Sequence, residues 1–480
     1  MINNTHSVGT LHFDLETFNK KHALEIQKSV SGYGRKEIIN IIQESLDKVN
    51  ISNSTAIIDR LEIELGEITP DEFHKDFLRL FSKYFNEKLL DLHLEDVAVK
   101  KKETQVLPKE ESELEILKHF LLSGRIPWYA ESTPPNLQAV FSNLVKTKSE
   151  EFQRFVKSKL EIESFTERMV FQFPKTAIVQ LLENIFEIKL EKQLQFIQHL
   201  FSEILQPGRV IYKIPYPDLL MLKVLIELLQ ITKGKVKSDF EANYLTILAE
   251  KLEINYAELI KLVSPYISKI KSKSFSKKLL QRTKTIDKYQ TDIKQKSEGV
   301  DQEKFQPEQE EVEKPVSYFV SNAGLALLNP FLPELFRKLK LLNKNQFIDE
   351  PAVHKAIHLS QYAVFRNKVK PEYLLVLNKL ICGYPLENPI PIKVKLSRRE
   401  KSETTRMVSA AIKHWSALKN TSTKGFRSSF LQREGLLKQT ENGWRLSIER
   451  KAYDILLDKI PWNYRIIKLP WMDKIIEVEW

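Results

Sequence analysis

Between about residues 135 and 265, apolar side chains recur at helical spacing in segments of roughly ten to seventeen residues, and Pro174, Pro207-Gly208, Pro215, Pro217, Gly234 and Pro265 fall between the segments. Proline removes a backbone donor and its ring clashes with the preceding turn, so each of these positions reads as a helix boundary. A long continuous rod is incompatible with that punctuation. The pattern predicts a succession of short helices that bury their apolar faces on one another. No repeat period emerges, so the stretch is not assigned to a named solenoid. Its most apolar run, LLMLKVLIELL at 219–229, contains Lys223 and Glu227. It is also far short of the roughly 20 apolar residues of a membrane span, so a buried helix is expected and no span.

Composition narrows the class further. Only 13 of 480 residues are glycine, which favours helix, and 42% hydrophobic with 29% charged residues describes a soluble globular chain. That length holds two to four domains of roughly 100 to 200 residues each. The single cysteine, Cys382, rules out an intrachain disulfide, fits a reducing cytoplasm and is expected to be an inert buried thiol. The opening MINNTHSVGTLHFD has neither a basic n-region nor an apolar h-region, so no secretory signal is read. A net charge of +11 from 74 basic and 63 acidic residues is modest for the length and reads as solvated faces, not a nucleic-acid patch.

Four regions follow, giving a predominantly helical α+β fold. Residues 1–104 form an N-terminal α+β unit: Ile57, Leu61, Ile63 and Leu65 alternate with polar or outward positions as one half-buried strand. Gly66 ends that strand. Thr69, Pro70 and Glu72 open a helix with a capping box, and Phe73, Phe77, Leu80, Phe81, Tyr84 and Leu89 form its buried stripe. Residues 112–266 form the helical middle region, beginning with a helix closed by Gly124. Residues 267–315, a basic block followed by an acidic one, read as a charged flexible linker. Residues 316–480 form a compact C-terminal α+β domain containing five of the six tryptophans. Helices are expected there at about 331–341, 351–364, 371–382 and 398–419, with a further short one at 452–459. Asn442-Gly443 is read as the loop of a tight hairpin. In IIEVEW, Ile476, Val478 and Trp480 alternate with Ile475, Glu477 and Glu479, predicting a final strand with one buried face that completes the sheet.

Chemistry-bearing patterns are scarce. No Walker loop, G-x-S-x-G elbow, H-E-x-x-H or paired C-x-x-C occurs, so no catalytic residue, cofactor-binding residue or metal ligand is assigned and no enzyme activity is expected. His354 and His358 sit i and i+4 on one predicted helix face, the spacing of two zinc ligands. They lack a third ligand and the zincin glutamate, so a structural pair is expected. Ser31–Gly34 reads as a turn, and Glu434 and Glu449 as charged strand faces. The tryptophans read as core packing in preference to a cofactor-stacking box.

Several longer strings, in one order, resemble the tape-measure family of contractile injection systems, the phage-tail-like particles of bacteria. They are IIDRLEIELGEITPDEF, LKHFLLSGRIPWYA, NAGLALLNPFLPELFRKLKLL, YLLVLNKLICGYPLENPIP, HWSALKNTSTKGFRSSFLQREG, GWRLSIERKAYDILLDKIPW and IIKLPWMDKIIEVEW. They cover about half of the chain, and residues 131–315 match none of them. The resemblance implies a non-enzymatic structural protein that fixes inner-tube length. The helix-breaking residues of the middle region suit a tube-end adaptor or assembly chaperone as the alternative, and the basic block at 267–296 leaves a basic nucleic-acid-binding protein as a remote one. The implied partners are inner-tube, baseplate or tube-end proteins, with self-association a further option. The implied location is the cytoplasm during assembly and then the particle.

Overall fold

A computed structural model describes residues 6–17, 35–49, 54–68, 73–92, 100–101, 104–130, 133–205, 214–235, 239–270, 317–366, 369–418 and 420–480. Two compact units emerge: residues 1–120 with 125–140, and residues 121–124 with 141–480. The expected turn at Ser31–Gly34, the Thr69–Glu72 capping box and nearly all of the 267–315 linker lie outside the described residues.

The first unit is built on one helix. In α2 (Phe73–Asp91), which follows α1 (Arg35–Leu46) and β1 (Ser54–Ile58), the rings of Phe73, Phe77, Phe81 and Phe85 stack in sequence at centroid distances of 5.4, 6.4 and 5.5 Å. A step of four residues advances only about 40° beyond a full turn, so this series keeps to one face. It therefore selects Phe85, where the sequence pattern points to Leu80 and Tyr84, both of which remain partly exposed. The stripe shares its core with Ile38 and Ile42 of α1 and with Val106. Val106 belongs to β3 (Thr104–Pro108), the central strand of a sheet with β1 and β2 (Lys100–Lys101) antiparallel on either side. The strand expected to run to Leu65 stops at Ile58. All five residues of β3 are already paired with Ser54–Ile58, and Leu61, Ile63 and Leu65 lie half-buried on the same core without a ladder. Alternation recorded the burial of one side, not a neighbour to pair with. From β3 the chain passes directly into α3 (Lys109–Ser123), which Gly124 closes at φ +75°, as expected.

Short helices make up the middle of the sequence: α4 (Leu137–Lys146), α5 (Glu150–Lys159), α6 (Glu163–Gln172), α7 (Lys175–Phe186), α8 (Glu191–Ile204), α9 (Pro217–Thr232), α10 (Phe240–Lys251) and α11 (Tyr256–Ile270). Pro174 precedes α7, Pro217 occupies the first turn of α9, and Gly234, at φ +74°, follows its C-terminus. The apolar run lies in α9, which is buried almost all round by Met221, Leu222, Val224, Leu225, Ile226, Leu228 and Leu229. It packs against α6, α7, α8 and α10. No helix among the described residues is long and apolar enough to cross a membrane. Pro265 does not end a helix, because α11 runs through it. Burial of Tyr256, Leu259, Ile260 and Val263 against α8 and α10 outweighs the one hydrogen bond that proline forfeits.

Beyond residue 316, β4 (Ser317–Val320) and a 3₁₀ stretch (Ala323–Phe331) lead into α12 (Leu332–Lys338) and a small hairpin, β5 (Leu342–Asn343) with β6 (Gln346–Phe347). Next come α13 (Glu350–Phe365), a 3₁₀ turn (Glu372–Leu374), α14 (Val376–Ile381) and α15 (Arg398–His414), the last closed at its start by a Ser397/Glu400 capping box. A short α16 (Thr423–Phe426) and a π-turn (Arg427–Leu431) precede β7 (Gly435–Thr440) and β8 (Gly443–Ile448). A 3₁₀ helix (Ala452–Lys459) then leads to β9 (Ile466–Ile467) and β10 (Ile475–Glu479). The five-stranded sheet has the order β4-β7-β8-β10-β9. Helix accounts for 59% of the structure, so the fold is predominantly helical α+β.

Two details of this sheet refine the sequence reading. The hairpin loop is Glu441-Asn442, one residue earlier than the expected Asn442-Gly443, because Gly443 already pairs with Thr440. A Cβ on Gly443 would collide with the carbonyl of Ile475, so glycine serves here for close approach of β10 and not as a loop residue. The final strand does complete the sheet, but from the inside. It is parallel to β8 and antiparallel to β9, with Ile476 and Val478 buried and Trp480 partly buried.

Candidate functional site

Three buried polar clusters in the second unit hold together segments far apart in sequence. In the first, α6 turns its Phe165 and Met169 face inward, and the same face carries Arg168, 0% exposed, and the buried Gln172. Arg168 donates Nε to Glu372 Oε2 at 3.3 Å and Nη1 to the carbonyls of Leu121 and Leu122 at 2.9 and 3.1 Å. Its Nη2 donates to the carbonyl of Glu387. Lys379 Nζ donates to Glu372 Oε1 at 2.7 Å and to the carbonyls of Leu386 and Asn388 at 2.9 and 2.7 Å. Gln172 joins in, donating to the Ile390 carbonyl at 2.7 Å and accepting from the Glu372 amide at 3.2 Å. One carboxylate thus faces two buried cations. Burial pushes the Lys379 ammonium down, and the Glu372 charge opposes that push. Gly124 packs so closely that an added Cβ would lie 2.6 Å from Glu372 Oε1.

The second cluster contains one of the two histidines singled out by sequence. His354 and His358 share the buried face of α13, but each nitrogen described is taken by a protein group. Tyr216, just ahead of α9, lies 2.7 Å from His354 Nδ1, and Tyr384 lies 3.0 Å from His354 Nε2. Tyr384 in turn donates to Glu350 Oε1 at 2.8 Å. His358 Nε2 lies 2.7 Å from the carbonyl of Pro391 and therefore carries the proton. Burial pushes both phenols up, so they remain donors, and a one-way chain follows: Tyr216 to Nδ1, Nε2–H to Tyr384, Tyr384 to Glu350. Among the described residues no group of three or more histidine, cysteine or carboxylate side chains is placed to hold a metal.

Burial, then the charges of His358 and Lys379, pushes His354 down to about 3, and burial lowers His358 as well. Both histidines take up protons more readily in the unfolded chain, so the stability they contribute is complete above about 6.5 and declines as pH falls toward the folded value. The unfolding free energy from urea denaturation should fall from pH 7 to pH 5, by up to about 1.4 kcal/mol per pH unit for each histidine. His354→Gln should flatten that slope, and an unchanged slope in the variant rules the account out.

The third cluster answers for the final strand. Arg433 holds Asp454 through both carboxylate oxygens, at 2.8 and 2.9 Å, and its guanidinium lies over the rings of Tyr453 and Trp480, 5.6 and 5.3 Å from their centroids. Trp480 Nε1 donates to Asp454 Oδ2 at 3.0 Å, and the Lys451 amide donates to the same oxygen at 2.8 Å. Burial alone would raise the Asp454 carboxyl, but these hydrogen bonds hold it below its ordinary range. Three more indole N–H groups bond to backbone carbonyls: Trp415 to Leu456, Trp462 to Leu327 and Trp471 to Ile381. The rings are packed and their donors are taken, as befits a core. Cys382 is buried and its thiol is pushed up by burial. Glu434 and Glu449 are exposed on either side of the hairpin.

Arg168, Glu372, Lys379, Arg433 and Asp454 were not singled out by sequence reasoning. A signal was present for the first, since Arg168 and Gln172 stand i and i+4 on the face that Phe165 and Met169 mark as apolar. Polar residues at core spacing declare a buried partner elsewhere.

Comparison with known proteins adds one finding. A family model described as contractile injection system tape measure protein matches residues 5–480. No curated protein and no solved structure matches the chain.

Proposed function

We propose that this chain, which belongs to the contractile injection system tape measure family, sets the length of the inner tube as a non-enzymatic structural component, with inner-tube, baseplate or tube-end proteins as its neighbours. The match over nearly the whole chain is the observation that carries this reading. Assembly in the cytoplasm and residence in the particle belong to the same reading. The clusters described above support a structural role, because their donors and acceptors are spent on holding the fold.

A specific observation favours a second reading, that of a tube-end adaptor or assembly chaperone of the same particle. Helices α4 to α11 are short, and α6 is fastened to the C-terminal part of its unit through Arg168 and Gln172. A ruler has to draw such an array out, whereas an adaptor works while folded.

Particle length separates the two. Removing about 40 residues from Lys175 onward, which takes out α7 and α8, should shorten an extended-helix ruler by up to about 60 Å at roughly 1.5 Å per residue, rounded to whole tube layers. Arg168 and both flanking family-like blocks stay in place. Electron microscopy of assembled particles reads the result. An unchanged, sharply distributed length with the shortened protein present in the particles removes the ruler and leaves the adaptor.

A further inference from the structure

Arg168 and Lys379 share Glu372, and Arg433 holds Asp454, so each of these buried cations touches a carboxylate. Arg427 breaks the pattern. It is 3% exposed, and no carboxylate pairs with it among the described residues. At the start of the π-turn, its Nε donates to the carbonyl of Ala363 in the last turn of α13 at 2.7 Å, while Nη2 has no hydrogen-bond partner. Gln432 Nε2, nearby, takes the carbonyl of Val364 at 3.0 Å. A helix C-terminus offers the equivalent of roughly half a negative charge, which offsets part of one guanidinium.

That half charge faces two cations. Arg366 ends the same helix, is exposed, and makes no ion pair among the described residues. After burial, its charge is the main influence lowering Arg427. Arg366 also has φ 58° and ψ −127°, a backbone conformation free of strain only for glycine. A side chain kept at such a position, beside a buried guanidinium with an unused N–H edge, points to a role for the side chain itself.

We propose that Arg427 and Arg366 form an oxyanion-binding site, in which a carboxylate or phosphate group accepts hydrogen bonds from the Nη edge of Arg427 and is held by the charge of Arg366. The planar fork of a guanidinium suits both groups, since each offers two oxygens side by side. The bound anion supplies what Glu372 and Asp454 supply to the other buried cations. The site does not depend on whether the chain acts as ruler or adaptor.

The test uses the full chain at neutral pH, with sodium acetate and sodium phosphate each titrated against sodium chloride at constant ionic strength while the thermal midpoint is followed. Binding to the native state alone raises that midpoint saturably. A rise with acetate only identifies a carboxylate as the ligand, a rise with phosphate only identifies a phosphate, and a rise with both identifies a general oxyanion site. No rise beyond chloride for either anion overturns the proposal. Arg366→Gly separates binding from folding, because it removes a charge and relieves the backbone at once. Its midpoint in chloride should equal or exceed the parent's, while its anion affinity falls by about tenfold, the loss of one modest charged contact. Unchanged affinity in this variant also overturns the proposal. Arg427→Gln should abolish the anion response, and if that variant does not fold, Arg366→Gly decides alone.

Discussion

Removing residues 475–480 should leave the C-terminal sheet unable to fold, with loss of the near-ultraviolet dichroism of the four tryptophans that remain there, Trp415, Trp444, Trp462 and Trp471. An edge strand can fray at small cost, but β10 lies between β8 and β9 and is paired on both sides. Its loss strips Ile476 and Val478 from the core at about 1.5 to 3 kcal/mol each. It also forfeits the ladder bonds, at a net of roughly 1 kcal/mol apiece. Asp454 loses the Trp480 donor, and Arg433 loses its contact with the Trp480 ring. Together these losses match the roughly 5 to 15 kcal/mol that keeps a typical domain folded. Trp480→Phe serves as the graded control, since it keeps the strand and the ring but deletes the indole N–H, at about 1 to 3 kcal/mol. A truncated chain that melts as cooperatively and at the same midpoint as the parent would show that β10 is dispensable.

How legible this strand was in the sequence marks the general limit. Ile476 and Val478 announced their burial through period-two spacing, because burial of one face leaves a local trace. The neighbours of β10 left none: its parallel pairing with β8 is fixed by the crossover through residues 449–474, and a crossover is decided by packing at long range. Gly443 shows the same division, visible as a turn residue but invisible as the point where Ile475 approaches. The helix boundaries were readable at Pro174, Pro217 and Gly234, where steric rules act within a turn. Pro265 was misread because tertiary burial of Tyr256, Leu259, Ile260 and Val263 overrode the local rule. The polar clusters were the least legible. Glu372 lies 204 residues from Arg168, and nothing local distinguishes a carboxylate that will be buried from one that will be solvated.

Glu372→Gln should be the most costly single substitution in the second unit, because that one carboxylate faces both Arg168 and Lys379 in the interior. Glutamine keeps the shape and one acceptor oxygen but removes the buried negative charge that both cations touch. Two buried cations then lose the carboxylate they contact, and breaking a buried pair in this way costs about 3 to 5 kcal/mol. Lys379 can shed part of that cost by giving up its proton, since burial already pushes its ammonium down, but a guanidinium stays charged throughout the accessible range. The penalty therefore concentrates on Arg168 and on the carbonyls of Leu121, Leu122 and Glu387 that it holds. Gly124→Ala should act in the same direction by a different route, because its Cβ would press on Glu372 Oε1 from a backbone at φ +75°. Chemical denaturation of the full chain measures both, with Glu163→Gln, half of an exposed pair with Lys223, as the control expected to cost less than about 1 kcal/mol. If Glu372→Gln unfolds at the control's midpoint, the cluster does not fasten α6 to the C-terminal part of its unit. The Tyr216–His354 contact and the Gln172–Ile390 hydrogen bond would then be what an extending ruler has to break to free the middle helices.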